Sequence, residues 1–438
     1  MIATTAQVKL WGDYVGALAL DPSTGFVTFE YAPEWLVKGI EIAPLQMPLT
    51  PRKYIFPGLN VETYKGLPAA FADSLPDDFG NAVINAWLAR QGRNQNSFSS
   101  IERLLYTGTR GMGALEYAPA MRGRGKNPTE NLELSSLVAM AQRVLDQRAG
   151  LEVEAGGGGG NGIEDILQLG TSAGGARPKV VVAVNQKRTA IRSGQLNAPV
   201  GFEHYLLKFD GVSERSRNSQ TFGDPKGYGL MEYAYYRMAT DAGIEMSPSE
   251  LLRENSRAHF ITKRFDRRGN EKVHFLSLCA LDHSDYKKPG SYSYEQLFAV
   301  ARKLRLSRNE AIEIFRRMVF NVVARNQDDH AKNFAFLLDQ SDLKWRLAPA
   351  YDIAYSYRKD SHWVDRHQFS LNAKRDDFER TDLHAVGQAC IGQFSKREAD
   401  AIINQVIEVV GEWDRYAYDV GVFAGLRQEI VRNLRVGI

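Results

Sequence analysis

The sequence predicts an α+β protein in which a sheet-rich stretch precedes a helical one, with a small α+β unit ahead of both. Three observations point there. Runs of β-branched and aromatic residues crowd 163–290, helical periodicities with capping signatures fill 291–438, and residues 1–120 mix the two. The length of 438 residues exceeds the ~150 that one ordinary domain spans. Residues 121–162 supply a helical segment and a glycine-rich joint between the first unit and the rest.

Composition sets limits. With 44% hydrophobic and 24% charged residues the chain has globular rather than fibrous or disordered character. A net charge of +3 is too small to diagnose nucleic-acid binding. Cys279 and Cys390 stand far apart in apolar segments and read as buried thiols in a reducing compartment. The amino terminus lacks a charged run followed by an apolar one, and no stretch reaches the ~18 apolar residues of a membrane span. The expectation is a cytoplasmic protein with no membrane partner.

In the first unit, VKLWGDYVGAL and GFVTFEYA predict hairpin strands around the turn DPSTG, and NAVINAWLARQ predicts a helix. The segment 121–162 holds a second helix, LSSLVAMAQRVLDQRAG, and then AGGGGGNG. Gly157, Gly159 and Gly162 match G-x-G-x-x-G, but they follow a helix and an acidic stretch instead of a strand. A linker is the better reading than a phosphate loop. Beyond Ile163, KVVVAVNQ, HYLLKFD, AHFITKRFDRRG and KVHFLSLCA predict a five-stranded sheet with one helix, MEYAYYRMATDA, closed by Gly243. Ser307 and Glu310 form a capping box opening a helix with apolar Ile312, Phe315, Val319 and Val322, and Ser395 with Glu398 opens another in a mostly helical remainder. A sheet-rich half followed by a helical half is the plan of a bilobed protein-kinase-like fold, although other folds share it.

After the Ser307 helix comes Asn326-Gln327-Asp328-Asp329-His330-Ala331-Lys332-Asn333, then the strand FAFLL. Asp328 and Asn333 have D-x4-N spacing, which suits a loop presenting a base and a metal-binding amide to one cleft. LKWRLAP pairs with FAFLL across the turn DQSD and returns Tyr351-Asp352 beside the loop, where Asp352 is a second oxygen ligand for Mg²⁺. On its own, D-x4-N also fits a helix ending in a solvated turn, with Asp352 as a cap. The hairpin favours the metal reading. His330 fits a packed imidazole as well as a nucleotide contact.

Upstream, Gly170 to Lys179 is rich in small residues that let backbone N–H groups approach phosphate, though a tight turn serves equally. Lys208 ends HYLLKFD where a phosphate-pairing strand lysine would stand, and Glu232 at the next helix reads more simply as a glutamate favoured by the helix dipole.

These strings together resemble the HipA family of toxin kinases: Ser172-Ala173-Gly174-Gly175-Ala176-Arg177-Pro178-Lys179, Lys208, Lys263-Arg264-Phe265-Asp266-Arg267, Asp328 to Asn333, and Tyr351-Asp352. PEWL, LQMPL and FADSLPDDFG resemble the amino-terminal domain of that family, so the likeness covers nearly the whole chain. The resemblance implies an ATP- and Mg²⁺-dependent serine/threonine kinase with Asp328 as base and Asn333 and Asp352 as metal ligands. It implies nucleotide contacts from Gly174, Gly175, Ala176, Arg177, Pro178, Lys179 and Lys208, from Lys263, Arg264 and Phe265 at the adenine, and from His330, Lys332, Asn333, Tyr351 and Asp352. Ser172 matches the serine that the family phosphorylates on itself to switch off, with Thr171 the next candidate. Arg177-Pro178 departs from the commoner Gln-Glu, and Gly174 replaces an alanine, which leaves the path of that loop less defined than the Asp/Asn/Asp centre.

By the same resemblance the partners are a small helix-turn-helix antitoxin like HipB, DNA through the antitoxin, and a protein substrate such as an aminoacyl-tRNA synthetase, glutamyl-tRNA synthetase first. Two other readings stand beside it: a DNA-associated corepressor on a degenerate kinase fold, and a small-molecule kinase. The polar run at Lys374 and Arg375 is expected to be a solvated charge run more than a DNA contact.

Overall fold

Alternation dictates the first sheet. In β1 (Thr5–Leu10) Ala6, Val8 and Leu10 are buried while Thr5 and Gln7 face outward. With β2 (Asp13–Leu20), β3 (Val27–Tyr31), β4 (Lys53–Tyr54) and β5 (Leu115–Ala118) it forms a sheet in the order β4-β3-β2-β1-β5. VKLWGDYVGAL, expected as one strand, is two: Trp11 and Gly12 take positive φ of 53° and 88° and close a tight hairpin there. The DPSTG turn does join β2 to β3, with the Asp21 carboxylate accepting from the Ser23 amide and the Thr24 hydroxyl.

The computed structural model describes residues 3–90, 92–94, 97–120, 131–148, 177–194, 197–213, 223–224 and 226–438. The glycine run with Gly157, Gly159 and Gly162, the loop residues Gly174, Gly175 and Ala176, and Thr171 and Ser172 lie outside these described residues. The chain groups into one unit of Met1–Gly229 with Glu250–Phe275 and a second of Leu230–Ser249 with Leu276–Ile438.

In the first unit, α1 (Asp78–Arg90), α2 (Ser100–Thr107) and α3 (Leu134–Arg148) accompany a second sheet of β6 (Lys179–Asn185), β7 (Ile191–Ser193), β8 (Phe202–Lys208), β9 (Ser249–Glu254) and β10 (Arg257–Lys263). Its order is β9-β10-β8-β6-β7; the number of strands is the expected five, but β7 and β9 are not among the strings expected, and the strand of KVHFLSLCA, His274–Ser277, is not part of this sheet. Val180, Val182 and Val184 of β6 bury against Phe79 and Val83 of α1 and Leu137 and Val144 of α3. Each such side chain contributes about 1.5–3 kcal/mol, so α3 is part of this core rather than a free connector. The stretch KVHFLSLCA is a strand only to Ser277, whose hydroxyl accepts from the Ala280 amide and turns Leu278–Leu281 into a short helix. Helix α4 (Tyr228–Asp241) starts earlier than MEYAYYRMATDA, and Gly243 follows it at φ 84°.

The unit is also fastened by buried ions. Asp266, fully buried, accepts from Arg264 Nε at 2.8 Å, from Arg267 Nη1 at 2.8 Å and from the Gly113 amide at 2.7 Å. Burial pushes its carboxyl up, but the two guanidiniums together outweigh that and hold it well below the ordinary range. His274, also fully buried, bonds the Ile42 carbonyl through Nε2 at 2.8 Å, and burial lowers its pKa to about 4. The unfolded imidazole protonates near pH 6.5 while the folded one resists. His274 therefore contributes stability above that pH that is lost as pH falls toward 4. We expect the urea midpoint to drop on going from pH 7 to pH 4.5, and to drop less in His274→Gln, which keeps the Ile42 bond without the titrating ring. Parallel slopes in the two proteins would remove His274 as the cause.

In the second unit α5 (Tyr294–Lys303), α6 (Arg308–Val323), α7 (Arg380–Cys390), α8 (Lys396–Gly411), α9 (Trp413–Val420) and α10 (Ala424–Asn433) pack together. Both predicted capping boxes form, at Ser307 with Glu310 and at Ser395 with Glu398. On α6, Phe315, Val319 and Val322 are buried as expected, but Ile312 is only half-buried while Ile314 and Met318 are buried. The reason is that α6 packs against both α5 and α8 and so buries more than one stripe. The remainder is less helical than expected, since residues 353–379 form no helix. Cys279 and Cys390 are buried free thiols, and no described helix is long and apolar enough to cross a membrane.

Candidate active site

Helix α6 ends at Val323, and Arg325 takes a positive φ of 56°, which turns the chain into the loop 326–333. Beyond it, β11 (Ala335–Leu338) and β12 (Trp345–Leu347) pair antiparallel, Phe336 facing Leu347 and Leu338 facing Trp345. The predicted hairpin thus exists. Its outgoing end is fixed twice: Arg317 Nη1 of α6 donates to the Ala348 carbonyl at 2.9 Å, and the Ala350 amide to the Glu245 carbonyl at 2.8 Å.

Within the loop, Asn333 Nδ2 donates to the Asp328 carbonyl oxygen at 2.7 Å. The amide nitrogen being so engaged, Oδ1 of Asn333 is the atom left to face a cation. The Asp328 side chain is 44% exposed, with His330 Nε2 at 3.6 Å from its Oδ1. That distance is too long for a hydrogen bond, so the carboxylate is presented outward rather than tied down. Asp352 sits at φ 53°, a conformation an aspartate adopts uncommonly and that clusters at functional sites. The Tyr351 hydroxyl donates to the Lys332 carbonyl at 2.6 Å, which ties the Tyr351-Asp352 turn to the loop. Asn333, Phe334, Ala350, Tyr351 and Ile353 line one small cleft with Arg317, Asn321, Asn326 and Asp329.

The donors fit Mg²⁺. Asn333 and Asp352 bring an amide oxygen and a carboxylate, the ligand type that ion takes. Two protein oxygens with the remainder from phosphate and water is how Mg²⁺ is ordinarily held beside a nucleotide. His330 and Lys332 share a neighbour in Tyr286, the imidazole 5.4 Å from its ring centroid and Lys332 Nζ at 4.8 Å. His330 Nδ1 is buried with no hydrogen-bond partner.

The remaining predicted contacts lie in the first unit. Lys179 of β6 and Lys208 of β8 are direct partners in the ladder, 3% and 4% exposed. Lys208 Nζ also lies 5.6 Å from the Phe260 ring, and Arg177 stacks at 5.7 Å on Tyr228 while Pro178 is buried. Lys263 pairs with Glu203, and Phe265 packs on Phe275 at 5.9 Å. Arg264 gives its amide to the His204 carbonyl and its guanidinium to Asp266. Those groups of Arg264 hold the protein together.

Sequence reasoning passed over Asp329, Arg317, Tyr286, Tyr294 and His367. Asp329 is the clearest omission: it is buried and accepts hydrogen bonds from Tyr294, His367 and the Gln368 amide. The doubled aspartate before His330 was the available signal. In the polar run at Lys374 and Arg375, Lys374 is exposed, as a solvated charge run would be, and Arg375 is half-buried. Asn372 and Ala373 turn the chain back at φ 48° and 62°, so Lys374 pairs with Asp382 at 2.8 Å and Arg375 Nε donates to the His367 carbonyl at 2.7 Å.

Residues 171–413 match the family model of the HipA-like C-terminal domain, and residues 6–118 that of the HipA N-terminal domain. The serine/threonine-protein kinase toxin HipA of Shewanella oneidensis is 23% identical over 235 residues, 49% of each chain. Y4mE of Sinorhizobium fredii is 25% identical over 198 residues, 42% of each chain. The chain therefore spans less than half the length of the curated relatives it matches. The Shewanella oneidensis HipA solved with HipB and its operator DNA superposes with a TM-score of 0.63 at 16% identity, over 98% of this chain and 94% of that one, which establishes the fold.

Proposed function

Since this chain belongs to the HipA family and has its kinase-like fold, we propose that it is a serine/threonine protein kinase using Mg²⁺ and ATP, and the toxin of a toxin–antitoxin pair. The observation that carries the reading is the hairpin that returns Asp352 to the loop holding Asp328 and Asn333, with the Asn333 amide oriented by the Asp328 carbonyl. Bound Mg²⁺ would neutralise charge on the phosphates. Asp328 accepts the proton of the acceptor hydroxyl as it attacks. Asn333 and Asp352 hold the metal, while Lys179 and Lys208 answer the charge of the phosphates.

The acceptor we propose is a serine or threonine of an aminoacyl-tRNA synthetase, glutamyl-tRNA synthetase first. Self-phosphorylation at Ser172 would add about −1.5 to −2 charges beside the loop meant for ATP phosphate and so switch the enzyme off. A small helix-turn-helix antitoxin like HipB, and operator DNA through it, are the proposed partners; a HipA solved with both supports this. The experiment is labelled ATP incubated with the purified protein and a cell lysate, followed by mapping of phosphorylated residues. Label on a synthetase and on Ser172 supports the whole reading. Label confined to a small molecule would overturn the protein-kinase assignment. Growth that is equal on inducing the parent and Asp328→Asn, without the neighbouring gene, would remove the toxin role.

A further inference from the structure

The buried carboxylate next to the proposed base carries one step more, which rests on the kinase reading above. Asp329 is 1% exposed and both of its oxygens are occupied. Oδ1 accepts from the Gln368 amide at 2.8 Å, and Oδ2 accepts from the Tyr294 hydroxyl at 2.7 Å and from His367 Nδ1 at 2.8 Å. Tyr294 in turn accepts from Asn321 Nδ2 at 3.0 Å, and Asn326 Nδ2 donates to Asn321 Oδ1 at 2.9 Å. An ionised carboxylate only accepts, so the proton on His367 is assigned to Nδ1. Three parts of the second unit meet at this one group: the loop of Asp328, the first turn of α5, and the segment that trails Asp352.

That segment needs a fastening. Residues 353–379 form no helix, and their one strand is the two-residue Phe369–Ser370, paired parallel with Tyr292–Ser293, so before it bonds such as those of His367 and Gln368 set the path. We propose that Asp329 and His367 are positioning residues for phosphoryl transfer, a clamp that holds the chain after Asp352 to the loop of Asp328. The base and the metal ligand then keep one relative geometry. Neither side chain touches nucleotide or acceptor in this assignment. Its effect is on the alignment of the reacting groups, where a displacement of about 1 Å costs on the order of 10²-fold in rate.

The test compares His367→Asn with His367→Leu in the full chain, measured as turnover of Mg-ATP by phosphate released or transferred. Asparagine places an amide N–H where Nδ1 stands, whereas leucine fills similar space without a donor. We expect His367→Leu to lower kcat by roughly 10- to 100-fold with the KM for ATP within about threefold, and His367→Asn to return kcat to within about threefold of the parent. Tyr294→Phe removes one of the two side-chain donors to Oδ2 and is expected to lower kcat by about 3- to 10-fold at unchanged KM. It decides the matter if the leucine variant does not fold. Equal kcat in the asparagine and leucine variants, or a parental kcat in Tyr294→Phe, overturns the clamp. An inactive parent overturns the kinase reading and this inference with it, while an active parent indifferent to these changes overturns the inference alone.

Discussion

Asp328→Asn is expected to lower phosphate transfer by at least ~10²-fold while ATP affinity stays within a few-fold, because a base acts on the acceptor and not on the nucleotide. The structure makes this a clean substitution. The carboxylate of Asp328 is 44% exposed and bears no hydrogen bond of the loop's framework, which instead uses its main-chain carbonyl to orient Asn333. Asparagine preserves volume and that carbonyl, so a loss of transfer cannot be ascribed to a collapsed loop. Thermal unfolding within a few degrees of the parent, together with calorimetric titration of Mg-ATP, checks both halves of the expectation. Transfer above a few per cent of the parent would remove Asp328 from the role of base.

The second large effect belongs to Asp352. Asp352→Ala is expected to weaken nucleotide binding in the presence of Mg²⁺ by about 10- to 100-fold and to change binding without the metal little, since the carboxylate acts through the ion. Alanine is also disfavoured at the φ of 53° that Asp352 adopts, at a cost of roughly 1–2 kcal/mol, so part of any loss would be conformational. Asp352→Asn separates the two: asparagine tolerates that backbone and keeps an oxygen but not the charge. An affinity in Asp352→Asn midway between parent and alanine is the expected pattern. Mg²⁺-dependent affinity unchanged in both variants would mean that Asp352 is not a ligand.

Much of the architecture was legible because it depends on short-range rules. The capping boxes at Ser307 and Ser395 and the FAFLL–LKWRLAP hairpin follow from hydrogen bonds or periodicities that a few neighbouring residues decide. The errors occur where distant groups decide. Leu278–Leu281 looked like more of the strand, yet the hydroxyl of Ser277, its last residue, caps a turn of helix there, and Ile312 carries the apolar period of α6 although neighbours on two sides bury Ile314 and Met318. The site shows the same division. D-x4-N and the hairpin-borne Asp352 are visible in sequence, whereas Asp329 earns its role from Tyr294 and His367, which lie 35 and 38 residues away along the chain. Lys374 is solvated as expected, but its ion pair with Asp382 forms across a turn that the sequence did not announce.

The most direct measurement of the central claim is transfer of the γ-phosphate of labelled ATP to protein serine or threonine by the purified chain, with Mg²⁺ or with a chelator, for the parent, Asp328→Asn and Asp352→Ala. Phosphoserine or phosphothreonine that forms only with the parent and only with Mg²⁺ is the predicted result. Label that forms equally in Asp328→Asn, or that is indifferent to the chelator, would contradict it.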